Sequence, residues 1–404
     1  MERYATELLY EEFINEEASA VRVLDLMIKY AHAVNTSDIH LDPSETKIAI
    51  RFRIDGIMRN IHELPKSIYN SVFSRLKIIS NLRIDEHNLP QDGRFTIQIE
   101  QIVSINVRVS IAPTYFGENA VLRLLYSHSS FSLKDIGLSD DQILLLKESI
   151  ANPFGLILIT GPTGSGKTST LYSLLQILNS GKQSIVTIEE PVEYSIEGVS
   201  QMQVNKHAGF GFAEGLRSIL RQDPNIIGIG EIRDPETASL AIHAALTGHL
   251  VLSTLHSTTA TSAIPRMTTM GVESYLLSST LTLVINQRLL RRLCTNCREK
   301  KPLLESHIKR IENLIPSDSE NEIYHYYSNG CLQCAGTGSK GRIGIFEFLV
   351  VNDSIREEIS AKISSSVLFQ KAHHQGMKSL LDDGLAKAIQ GIVSLEDVLA
   401  LIHE

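Results

Sequence analysis

Residues Gly161, Pro162, Thr163, Gly164, Ser165, Gly166, Lys167 and Thr168 match the spacing G-x-x-x-x-G-K-[ST] at every position. The chemistry of that pattern is phosphate binding. Glycines allow successive backbone N–H groups to turn inward around phosphate oxygens, and a helix starting at the end of the motif adds partial positive charge. In such a loop Lys167 contacts the β- and γ-phosphates of ATP, and the Thr168 hydroxyl helps hold Mg²⁺. The context suits the motif, because the apolar run GLILIT precedes it and the helix-like STLYSLLQIL follows.

Hydrolysis also needs a carboxylate near the phosphates. Glu231 follows the apolar run NIIGIG, and Glu189-Glu190 follows SIVTI. Acids at the ends of parallel strands gather at the carboxyl edge of the sheet, where a phosphate loop also lies. Glu231 is expected to orient the attacking water or accept its proton, and Glu189 to hold a magnesium-bound water. The plainer alternative is that each caps the next element. His249 and His256 flank LVLST; they are either γ-phosphate sensors or satisfied core residues. Cys294 and Cys297 form one Cys-x-x-Cys pair and Cys331 and Cys334 a second. Two such knuckles offer four thiolates to a tetrahedral, structural Zn²⁺, with no ligand position left open for catalysis.

These groups must be positioned by a sizeable scaffold. The 404 residues suit two or three domains, and 43% hydrophobic with 21% charged residues is a globular balance. The net charge of −8 argues against a sequence-independent nucleic-acid binder. No apolar run approaches the ~18–20 residues that span a bilayer, and the acidic start lacks the pattern of a signal peptide, so a cytoplasmic protein is expected. From residue 155 onward short apolar runs alternate with helical stretches, as in an α/β fold with a parallel sheet covered on both faces. Before it, helical patterns (Val21–Ala31 and Ser67–Ile79) and alternating strands (KIAIRFRID, RFTIQIE, SINVRVSI) describe a smaller α/β domain, with Gly93 and Pro113 as breakers. The segments Asp140–Ile150 and Ser278–Arg291 are expected to be helices, and the tail from Asp353 mostly helical.

Several segments in order, SDIHLDP, LPQDGRF, NVRVSIAPT, GPTGSGKT, TIEEPVEY, LRSILRQDPN, GIGEIRD, TGHLVLSTLH, INQRLLRRLC and MKSLLDDGLAKAIQG, resemble the type II secretion and type IV pilus assembly ATPases. The resemblance implies a RecA-like ATPase core over 151–292, preceded by an acidic segment (1–17), a small α/β domain (18–127) and a linker with a leading helix (128–150). A zinc-binding insertion (293–341) and a mostly helical subdomain (342–404) follow. It implies that Glu231 is the catalytic glutamate, Glu189 the Asp-box glutamate, and His249 and His256 the His-box pair. Arg94 and Arg108, with Arg123 as a weaker third, match arginines that reach the phosphates when the small domain closes. It further implies a cytoplasmic homohexameric motor, peripheral at the inner membrane, acting on a platform protein and through it on pilin or pseudopilin. The cysteine tetrad points to an assembly or secretion motor, not a retraction motor. Three positions depart from the family pattern: Glu190, Asn225 and Asn88. Longer relatives carry a further N-terminal domain before the acidic segment. Two other functions remain open, a nucleic-acid translocase and a non-hydrolysing ATP-binding scaffold.

Overall fold

The computed structural model describes residues 10–14, 19–99, 103–126, 132–302, 324–334 and 336–401. Parts of the acidic segment, of the linker and of the zinc-binding insertion lie outside these residues. The chain divides into two compact units, Met1–Ser129 and Ser130–Glu404.

In the first unit, helix α1 (Ala20–Ala33) is followed by β1 (Thr36–Pro43), β2 (Lys47–Ile54) and β3 (Ile57–Pro65), then helix α2 (Tyr69–Ile79), β4 (Gln91–Ile99), β5 (Val103–Thr114) and β6 (Gly117–Tyr126). The strands form one antiparallel sheet in the order β3-β2-β1-β6-β5-β4. Ser19 caps α1 by accepting from the Arg22 N–H. Along β5, Ile105, Val107, Val109 and Ile111 are buried, so the alternate residues face away from the core. The expected breakers are not breakers. Gly93 lies inside β4, where a side chain would collide with the Ser80 carbonyl and Leu82. Pro113 lies inside β5, past Ile111, where β4 has already ended and no ladder partner on that side needs its missing N–H.

The second unit opens with α3 (Asp140–Ile150), as the sequence predicts, closed by a capping box between Ser139 and Gln142. Then come β7 (Gly155–Thr160), α4 (Lys167–Leu178), β8 (Ile185–Glu189), β9 (Ser200–Gln203), α5 (Phe212–Ile219), β10 (Ile226–Ile229), α6 (Pro235–Leu246), β11 (Leu250–Leu255), α7 (Ala263–Thr269) and α8 (Ser274–Thr280). β12 (Leu281–Leu293), β13 (Arg298–Pro302), β14 (Tyr324–Ser328) and β15 (Ser339–Val350) lead to α9 (Asp353–Ser360), α10 (Ser365–His374), α11 (Leu380–Ile389) and α12 (Leu395–Ala400). Seven strands form one sheet in the order β15-β12-β7-β11-β10-β8-β9, and separate apolar clusters cover it. Every residue of β7 and β11 is buried, which is why both read as unbroken apolar runs.

The helix expected over Ser278–Arg291 is a correction: α8 stops at Thr280 and the rest is β12. Leu281, Leu283, Val284 and Ile285 suit a helical or a strand period equally well over so short a run. The outcome is decided by partners, β7 lying parallel on one side and β15 antiparallel on the other, some sixty residues away. As a result, the segment from 342 begins as a strand of the core sheet before turning helical.

Candidate functional site

The phosphate loop joins β7 to α4 across three glycines with positive φ, Gly161 (140°), Gly164 (79°) and Gly166 (88°), conformations that side chains resist. Gly166 is also the N-cap of α4, and no side chain caps that end. The first N–H groups of the helix are thus left for an anion. Two further observations fit a phosphate. The Ser165 hydroxyl is buried without a hydrogen-bond partner, and the Lys167 Nζ, lacking a counter-anion, donates to the carbonyls of Gly161 and Pro162 at 2.9 Å each. Burial pulls the Lys167 ammonium down to about 8, against the pull of Glu231, while Arg288 pushes in the same direction as burial. Thr168 lies in the first turn of α4 and is exposed.

Glu231 follows β10 at the same carboxyl edge. Its carboxylate lies 2.5 Å from the Arg233 Nε and 3.6 Å from the His256 Nε2. Burial and the charge of Lys167 hold His256 below the usual histidine range, so its ring is neutral at pH 7. Lys167, Glu231 and His256 thus face one another electrostatically.

Two expected members stand elsewhere. The Glu189 carboxylate is 3% exposed and turned into the protein. It accepts hydrogen bonds from the Tyr172 hydroxyl of α4, from Thr187 at 2.6 Å and from Gln201 at 3.1 Å. Burial and that carboxylate push the Tyr172 phenol far up. Glu189 is therefore placed to fix α4 against β8, and a direct hold on a magnesium-bound water is not its observed arrangement. Glu190 faces outward, 2.6 Å from the Lys206 Nζ. His249 lies at the amino end of β11, its Nδ1 2.9 Å from the Ala244 carbonyl. His256 lies past the other end of this six-residue strand, roughly 20 Å away. Within one chain, then, the two histidines do not act as a pair.

Each departure from the family pattern has a local partner, Glu190 with Lys206 as above. Asn225 accepts from the Ser184 N–H at 2.8 Å at the amino edge, a task its amide oxygen performs as a carboxylate would. The Asn88 backbone N–H donates to Glu86 at an exposed turn.

In the first unit, Arg94 is paired with Arg108 across β4 and β5, Arg108 with Arg123 across β5 and β6, and Arg123 with Asp38 across β6 and β1. Three arginines thus form one row on the outward face, ending on an acid. Arg123 donates to Asp38 at 2.8 Å. Burial would raise the Asp38 carboxyl, but the hydrogen bond and charge of Arg123, helped by Ser37 and Arg53, hold it below its usual range. Arg123 is accordingly a structural partner, whereas Arg94 is exposed.

The four cysteine sulfurs lie within 4.8 Å of one another, with Cys294–Cys331, Cys297–Cys334 and Cys331–Cys334 at 3.8, 3.7 and 3.8 Å. Zn–S bonds of about 2.3 Å place tetrahedral sulfurs about 3.8 Å apart, far from a disulfide bond of about 2 Å. Backbone N–H groups of Cys331 and Gly338 donate to the Cys334 sulfur, as suits a thiolate ligand. The donor set fits a structural zinc. Cys294, Cys297, Cys331 and Cys334, if they held a zinc, would tie the paired strands β13 and β14 to the end of β12.

Sequence reasoning missed Tyr172, Arg233, Asn286, Gln287 and Arg288. Arg233 and the last three stand inside segments GIGEIRD and INQRLLRRLC that already stood out, but nothing in their spacing revealed their neighbours.

The chain matches a family model described as "Type II/IV secretion system protein" over residues 14–400. The type IV pilus assembly ATPase PilB of Thermus thermophilus is 45% identical over 388 residues, 95% of this chain but only 43% of that protein. Type II secretion system protein E of Aeromonas hydrophila is 41% identical over 391 residues, 96% of this chain and 77% of that protein. This chain therefore spans less than half of the first relative and about three quarters of the second. Among solved structures, the pilus retraction motor PilT with bound ADP is 28% identical with a TM-score of 0.62, covering 93% of this chain and 95% of that one. The Legionella pneumophila ATPase DotB shares the fold, with a TM-score of 0.72 at 22% identity over 96% of this chain and 98% of that one.

Proposed function

This chain belongs to the type II/IV secretion system protein family, and on that premise we propose that it is an ATP hydrolase driving pilus or pseudopilus assembly. The observation that carries the reading is the convergence of the phosphate loop, Lys167, Glu231 and His256 at one edge of the parallel sheet. The phosphates replace the Gly161 and Pro162 carbonyls as partners of Lys167 and take the uncapped N–H groups of α4. Thr168 would help hold Mg²⁺, which would supply neutralisation of the phosphate charge. Water attacks the γ-phosphorus, the bond to the ADP oxygen breaks, and Glu231 orients the water or takes its proton once its contact with Arg233 opens. Glu189 acts through Tyr172, keeping α4 in place. Arg94 and Arg108 would add positive charge to the transition state, with Arg123 holding the row to Asp38. The working form is a cytoplasmic homohexamer at the inner membrane, acting on a platform protein that handles pilin or pseudopilin. No helix among the described residues is long and apolar enough to cross a membrane.

The test is steady-state phosphate release from Mg-ATP, beside Glu231→Gln. Wild type is expected to turn over, and the variant to bind ATP while releasing phosphate about 10²–10⁴-fold more slowly. Binding without turnover in both, even with a membrane platform protein supplied, would replace the motor by a nucleotide-binding scaffold.

A further inference from the structure

β12 runs alongside the phosphate loop and carries two consecutive amides, Asn286 and Gln287, that are 0% and 1% exposed. Neighbours on a strand point to opposite faces, so the two side chains serve different loops. The Gln287 Oε1 accepts from the Thr170 hydroxyl of α4 at 2.7 Å. Its Nε2 lies 2.7 Å from where a Cβ on Gly166 would stand, and its backbone carbonyl fills the place a Cβ on Gly161 would need. Both glycines at the ends of the phosphate loop therefore rest on one residue.

Asn286 reaches the other way. Its Oδ1 accepts from the Thr160 hydroxyl at 3.3 Å and its Nδ2 donates to the Thr258 carbonyl at 2.9 Å. Thr160 immediately precedes the phosphate loop, and Thr258 lies two residues past His256. A buried amide left unpaired is costly, so residues of this type persist here only because each finds partners.

We propose that Gln287 is a positioning residue for hydrolysis: it seats the phosphate loop through Gly161, Gly166 and Thr170, while Asn286 keeps the His256 loop in register with it. The kinetic consequence rests on the ATPase reading above. Backbone N–H groups would still bind phosphate without Gln287, but Lys167 and Thr168 would lose their fixed placement. A displacement of about 1 Å at a reacting centre costs on the order of a hundredfold in rate.

In the full chain, Gln287→Leu and, independently, Thr170→Val should lower kcat by about 10- to 100-fold. KM for Mg-ATP should move by less than about threefold. Hydrogen exchange of the amides of Gly161–Thr168 should quicken about tenfold. Thr170→Ser, which keeps the hydroxyl, should restore both readouts, and the double variant should be no slower than the slower single one. If kcat and loop exchange in Thr170→Val stay within about twofold of wild type, the inference falls, whether or not Gln287→Leu folds. If wild type is no faster than Lys167→Ala, the ATPase reading falls instead, and the exchange rates still judge the seating of the loop.

Discussion

The two edges of the seven-stranded sheet hold motif residues of the same kinds and do different work. At the carboxyl edge, Lys167, Glu231 and His256 are drawn together around a loop that leads into a helix start with no side-chain cap. At the amino edge, His249 and Asn225 are consumed by backbone partners, the Ala244 carbonyl and the Ser184 N–H. The lesson is that a motif such as TGHLVLSTLH is not a site. A buried parallel strand sorts its two ends to opposite sides of the domain, and only one end meets the loops that follow the other strands.

The contrast can be broken most decisively with one variant from each edge. Glu231→Gln should cost about 10²–10⁴-fold in kcat. His249→Ala should leave turnover within about twofold while costing about 1 kcal/mol of stability, the worth of one hydrogen bond. Loss of turnover in His249→Ala with an unchanged melting temperature would show that the amino edge also serves catalysis.

A smaller effect concerns Lys167. Its free-state value of about 8 means that near pH 8 about half of the molecules lack the proton, and an arriving phosphate raises that value. Nucleotide binding should therefore take up about half a proton at pH 8, and less at pH 7. Calorimetry of ADP binding in buffers of different ionisation enthalpy reads this directly, and Lys167→Arg should abolish it. Proton release on binding would contradict the burial argument.

His256 tests the same edge more gently. Its folded-state value is lowered, so its neutral form contributes stability that is present above about pH 6.5 and lost as pH falls through the lowered value. His256→Asn should flatten that part of the pH–stability curve. The smallest effect is expected from Asn225→Asp, within about 0.5 kcal/mol of wild type and about twofold in turnover, because either side chain accepts from Ser184. A larger loss would mean that the amino edge is tuned to an uncharged amide.

Much of the fold was legible. The run GLILIT coincides with β7, and the helix over Asp140–Ile150 has the expected ends, because burial on both faces and a capping box are each written locally. The paired cysteines announced a metal cage for the same reason. β12 was not legible, since its apolar residues suit two periods and its partner strand lies far along the chain. Nor was the row Arg94–Arg108–Arg123, which exists only through the register of three strands.

By itself, the sequence determined that residues 161–168 carry a phosphate-loop pattern. That pattern needs only glycines able to take positive φ, a lysine, a hydroxyl and an uncapped helix start, all within a few residues. It likewise determined the two Cys-x-x-Cys pairs. Tertiary structure alone decided which other polar residues attend the loop. It turned Glu189 inward to Tyr172, carried His249 to the far edge, and seated Gly161 and Gly166 on Gln287. Those outcomes depend on strand polarity and register, which are set by hydrophobic burial between segments distant in sequence and leave no mark on local spacing.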